Sequence, residues 1–198
     1  MNPFRQTPSQ TIGPFFAYGL AAEQYGYDFD SVAGALLAAD RYSKEERICI
    51  LGRVYDGQEV PVSDALVEIR QADAQGNYHQ VARPGGGEFS GFGRIGTGSD
   101  PDMQFRFITI KPGSTGTNQA PHIDIILFLR GSLRQYYTRL YFSDESESNE
   151  KDEILSLVPD ARRETLIAWH RVTDGMTEYQ FDIHMQGEKE TVFFDLEL

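Results

Sequence analysis

The segment APHIDIILFLRG, residues 120–131, sets His122 and Asp124 two residues apart within a run whose apolar content predicts a buried β-strand. Residues i and i+2 of a strand share a face, so an imidazole and a carboxylate stand side by side there. Such a pair can supply two ligands to a metal ion or form a hydrogen-bonded structural pair. The other histidines, His79, His170 and His184, complete neither His-x-His nor His-Glu-x-x-His. Cys49 is the only cysteine, which excludes a thiolate zinc cage and an intrachain disulfide. Tyr78, just past the turn QGN, offers a phenol, although a half-buried packing role is the simpler reading. Arg130 closes the apolar run DIILFL before a glycine. A guanidinium there can clamp a carboxylate ligand or close a salt bridge at the sheet rim.

Other chemistries find no support. The chain lacks a Gly-x-Ser-x-Gly elbow, and GGGEFSGFG (85–93) is not framed by the strand and helix of a phosphate loop. The acidic run DESESNEKDE (144–153) has no central glycine of a calcium loop and reads as a solvated face. A net charge of −12 argues against nucleic acid and anionic membranes. An anionic ligand would have to be captured by a locally placed basic residue. The N-terminal segment has no secretory pattern and no run approaches a membrane span, so a cytoplasmic location is expected.

The elements that must position these groups are mostly strands. Segments 47–56, 64–73, 103–110, 122–131, 135–142, 165–172, 178–185 and 190–198 have strand character, separated by turns such as Asp56-Gly57 and Asp174-Gly175. Many short strands with regular turns predict an all-β sandwich. Residues 82–101 read as glycine-rich loop, and helical character is expected around Glu150 to Leu157. Prolines 3, 8 and 14 make residues 1–18 an extended arm, and DSVAGALLAA (30–39) suits a short helix capped by Asp30 or Ser31. The expected organisation is an arm with a short helix over 1–40, packing on a partner chain, and a sandwich over 41–198.

The ordered segments TPSQTIGPFFAYGL, ILGRVYDG, VEIRQADAQGNY, TIKPG, APHIDIILFLRG, TRLYFSDE, RRETLIA and YQFDIHMQGEKETVFFD together resemble the intradiol ring-cleavage dioxygenases, specifically the α-type chains of those acting on protocatechuate. The resemblance runs from about Thr7 to Asp195. It implies a transthyretin-like β-sandwich in an obligate αβ hetero-oligomer with a homologous β subunit. The assembly would cleave 3,4-dihydroxybenzoate with O₂ to 3-carboxy-cis,cis-muconate. The β chains of that family hold Fe(III) through two tyrosines and two histidines. Here Tyr78 and His122 match two of these positions, whereas Thr115 (or Ser114) and Asp124 stand where the second tyrosine and second histidine would be.

The resemblance therefore implies no metal in this chain and no catalytic residue of its own. Thr11, Gly13 and Pro14 of the arm, together with Arg130, would complete the substrate pocket of the β subunit, with Arg130 near the substrate carboxylate. Arg70 stands where that family carries a tryptophan. Two other readings stay open: a non-enzymatic sandwich scaffold, and a stand-alone dioxygenase using Tyr78, His122, Asp124 and water.

Overall fold

The computed structural model describes residues 13, 16–37, 47–79 and 89–195. Within these the chain is a nine-stranded all-β structure: β1 Arg47–Tyr55, β2 Leu66–Gln71, β3 Phe92–Gly96, β4 Gln104–Ile110, β5 His122–Phe128, β6 Tyr136–Phe142, β7 Ile167–Thr173, β8 Met176–Gln180 and β9 Ile183–His184. The strand order is β3-β2-β5-β6-β7-β8-β1-β4, with β9 alongside β1. Most neighbours are antiparallel; β1 runs parallel to β8 and β9, and β6 parallel to β7.

Side chains from both arms of this sheet meet in one core, including Ile50, Phe105 and Phe107 from one arm and Val67, Ile69, Ile123 and Ile125 from the other. The sheet therefore closes over its own apolar face. β4 shows the alternation that drives this: Phe105, Phe107 and Thr109 are buried while Arg106 is exposed. In β5 the core takes Ile123, Ile125 and Leu127, leaving His122, Asp124 and Ile126 on the opposite face.

That opposite face is covered by the segment after β6 and by the chain beyond β9. Short helices α2 Ser146–Asn149, α3 Glu153–Ser156 and α4 Asp160–Arg163 lie there. Leu155 and Val158 pack with Ala120 and Tyr141, flanked by Val192 and Phe194. Asp152 fixes the cover. Its fully buried carboxylate caps α3 by accepting from Leu155 N at 2.8 Å, and it also accepts from Tyr141 Oη at 2.9 Å and Ala120 N at 2.8 Å. Capping of this kind is worth about 0.5–2 kcal/mol, and here one carboxylate ties helix, strand and loop together.

Four details depart from the sequence expectations. A helix, α1 Phe16–Leu20, stands at the end of what reads as extended arm. Of the expected helix over 30–39, residues 30–37 are not helical and 38–39 lie outside the described residues; Leu37 N donates to Ile108 O and Ile108 N to Ala35 O, both at 2.9 Å. Burying Leu37 beside the sheet satisfies its backbone across a bridge to β4, which outweighs the helix propensity of the alanines. β3 lies inside the glycine-rich stretch. A Cβ at Gly93 would stand 2.5 Å from Leu37 Cδ1, so the glycine marks close packing within a strand. Over 190–195 the chain makes only an isolated bridge, Phe194 to Tyr137, because it crosses the sheet as cover; residues 196–198 lie outside the described part.

Candidate functional site

Two separate places concentrate the chemically able residues, at opposite ends of β5. The first is the end of the strand at His122. His122 is 2 % exposed and its Nδ1 lies 2.7 Å from Ala120 O. The carbonyl can only accept, so Nδ1 carries the proton and Nε2 is left with a lone pair. Tyr78 Oη stands 3.4 Å from that Nε2. Burial, and secondarily the Arg139 guanidinium, push the His122 pKa down, which keeps the ring neutral. Burial and the neighbouring Asp124 carboxylate push the Tyr78 phenol up.

The turn that delivers Tyr78 is built by Asp73. Its Oδ1 accepts from Gln75 N and Asn77 N, both at 2.9 Å, and its Oδ2 lies 2.6 Å from His79 Nε2. Gly76 completes the turn with φ of 84° and a backbone so close to Ser114 O that a Cβ would collide with it. Tyr78 is thereby placed against His122 while the residue remains 45 % exposed.

Asp124 faces this pair but is not free. Its register partners are Arg70 on β2 and Arg139 on β6. Arg139 Nε donates to Asp124 Oδ1 at 2.8 Å, and the Arg139 side chain is only 18 % exposed. Its Nη1 is buried with no hydrogen-bond acceptor among the described residues. Arg70 donates to His79 O and Ser90 O and lies 5.5 Å over the Tyr78 ring. The arginine at the expected tryptophan position thus places its cation over the face of the tyrosine. Thr115 contributes no donor to the cluster; its hydroxyl donates to Gln119 Oε1 at 2.6 Å. Arg139, which the sequence reading passed over, is the cation closest to this cluster. The alternation of QYYTRLYF could have found it, since Arg139 shares a face with Tyr137 and Tyr141.

The second place lies at the other end of the strand. Arg130 is eight residues from His122, roughly 25 Å along an extended chain, so the two cannot serve one small ligand. Its side chain is 62 % exposed and its Nε lies 3.0 Å from Asp64 Oδ2. Arg130 and Asp64 border a cavity of about 310 Å³ that Ala17, Tyr18 and Tyr25 also line. Ala17 and Tyr18 belong to α1, and Phe16 N donates to Gly13 O at 3.1 Å. The root of the arm and Arg130 therefore share one surface. Gly13 is exposed, while Thr11 and Pro14 lie outside the described residues.

The comparisons with known proteins agree with this architecture. A family profile described as "Dioxygenase" matches residues 24–187. The chain is 44 % identical over 201 residues to the protocatechuate 3,4-dioxygenase alpha chain of Burkholderia cepacia, covering 99 % of this chain and 100 % of that one. This chain belongs to the intradiol ring-cleavage dioxygenase family. It is also 35 % identical over 162 residues to the corresponding beta chain of Burkholderia cepacia, covering 74 % of this chain and 67 % of that one. Among solved structures, the dioxygenase domain of a dioxygenase carbohydrate-binding fusion from Streptomyces sp. SirexAA-E aligns with a TM-score of 0.61 at 22 % identity, over 95 % of this chain and all of that one, which shows a shared fold. As a family member, the chain is a subunit of an oxidoreductase.

Proposed function

We propose that this chain is the non-catalytic α subunit of a protocatechuate 3,4-dioxygenase, folded as a transthyretin-type β-sandwich and working in a cytoplasmic αβ assembly with an iron-bearing β subunit. The observation that carries the reading is the end-to-end similarity to an alpha chain, combined with an Arg139–Asp124 ion pair where a fourth ligand would be needed.

The donor set of this chain does not suit a ferric ion. Fe(III) is a hard, highly charged ion best held by several anionic oxygen donors with imidazole. Asp124 is ion-paired with Arg139 and Thr115 is turned to Gln119, so two of the four positions offer no free donor. The stand-alone dioxygenase reading requires Asp124 to be available, and its ion pair counts against it. A ferric ion in the β subunit would supply activation of the catechol for attack by O₂.

The residues of this chain act on recognition. The substrate is a benzoate and the chain carries a net charge of −12, so long-range attraction is absent and a placed cation must supply it. Arg130, exposed at the sheet rim, would present its guanidinium to the substrate carboxylate, held in position meanwhile by Asp64. The arm, with Thr11, Gly13 and Pro14, would close over the β-subunit pocket and exclude water. Residues 1–40 then serve as the partner-facing part and 41–198 as the sandwich domain.

Co-expression tests the reading. The chain with its β partner should yield a stoichiometric complex that consumes O₂ with 3,4-dihydroxybenzoate. A β subunit that turns over equally well without this chain would contradict it.

A further inference from the structure

The cluster at the His122 end of β5 has the layout of a metal site with an arginine in it. His122 donates Nδ1–H to Ala120 O and aims its Nε2 lone pair at Tyr78 Oη. This is the backing hydrogen bond that orients a metal-binding imidazole. Two ligands held roughly 2.0–2.1 Å from a tetrahedral ion stand about 3.3 Å apart. Tyr78 Oη and His122 Nε2 are 3.4 Å apart, long for a phenol hydrogen bond but close to that spacing. Asp124, on the same face as His122, adds a carboxylate. Among the described residues no group of three or more His, Cys, Asp and Glu could hold a metal ion. The phenol of Tyr78 is what brings this set to three.

The cation already present is Arg139. Its Nε is 2.8 Å from Asp124 Oδ1, its side chain is mostly buried, and its positive charge disfavours a second cation beside it. Among the described residues Nη1 has no acceptor, so this guanidinium is not fully hydrogen-bonded by the protein.

We propose that the Arg139 guanidinium is the resident cation of the Tyr78–His122–Asp124 cluster, excluding metal from this chain, and that neutralising it converts the cluster into a divalent-metal site. The inference deepens the non-catalytic reading above and rests on it. Iron is thereby directed to the partner, since a donor set with a built-in positive charge does not compete for it.

The test uses the full chain with Co(II) as probe, followed by visible absorption and titration calorimetry, with thermal unfolding in parallel. The wild-type chain should take up no Co(II). Arg139→Met should bind one Co(II) per chain with visible ligand-field bands and gain about 5 °C in Tm at saturating metal. Arg139→Gln removes the charge with a shorter side chain that stays polar; it provides the same readout where the methionine variant folds poorly. Arg139→Lys keeps the charge and should stay silent. Failure of both neutral variants to bind, or equal binding by the wild type, overturns the resident-cation proposal. Uptake of Fe(III) by the wild-type chain with a red-brown tyrosinate band would instead sink the non-catalytic reading, so the two failures are distinguishable.

Discussion

The Phe16 ring packs on the Phe128 ring with centroids 5.3 Å apart. Phe16 is the first residue of α1, and Phe128 ends β5 two residues before Arg130. The contact pins the root of the arm to the strand end that carries the arginine, and Ala17, Ala21 and Leu66 complete a small apolar cluster beneath it. Arm and arginine are thus placed as one unit on the rim of the sheet.

Cutting that contact should uncouple them. Phe16→Ala removes an aromatic pair and part of its buried area, a loss of roughly 1–3 kcal/mol. Kinetics of the αβ complex should show reduced kcat/KM for 3,4-dihydroxybenzoate, while circular dichroism retains the β-sheet signal. Unchanged kinetics would mean that the arm is positioned by the partner alone.

Arg130 should act on the carboxylate and little else. Replacing Arg130 by Ala removes a charge-assisted contact worth roughly 1.5–3 kcal/mol, so KM for 3,4-dihydroxybenzoate should rise by about one to two decades. Uncharged catechol should be nearly unaffected. A similar rise for both substrates would identify the arginine as structural, through its contact with Asp64 at 3.0 Å.

The turn at Asp73 gives a pH dependence of known sign. Burial opposes ionisation of this carboxyl, but donation from Asn77 N, the His79 imidazole and Gln75 N outweighs it and lowers the pKa from its ordinary value of 3.8. A carboxyl depressed in the folded state contributes stability that is present above its unfolded value and is lost as pH falls through the folded one. Urea unfolding should therefore show a loss of stability below about pH 4. Asp73→Asn should flatten that part of the profile; an unchanged acid slope would show that the turn contributes nothing to it.

His122→Ala probes the cluster from the other side. If this chain holds no catalytic iron, the αβ complex of the variant should keep its iron content and turnover, measured by metal analysis and O₂ uptake. A colourless, inactive complex would mean that His122 is a ligand.

Much of this was legible in the sequence because the strands obey simple alternation. β1, β2, β4, β5, β6 and β7 fall where apolar period and turn residues put them, and His122 and Asp124 share a face as i and i+2 require. β3 escaped because its glycines are there for close packing against Leu37, a reason that only tertiary contact reveals. Residues 30–37 escaped because a bridge to Ile108 overrode local propensity. At the site, the motif comparison showed which ligands were missing but not what replaced them. Arg139 lies 15 residues from Asp124, and only the register of β5 with β6 brings the two together.

Iron analysis of the wild-type chain purified without its partner tests the central claim most directly. The account predicts a colourless protein with negligible iron after exposure to Fe(III), and colour only once the β subunit is present. A red-brown chain carrying one iron on its own would contradict it.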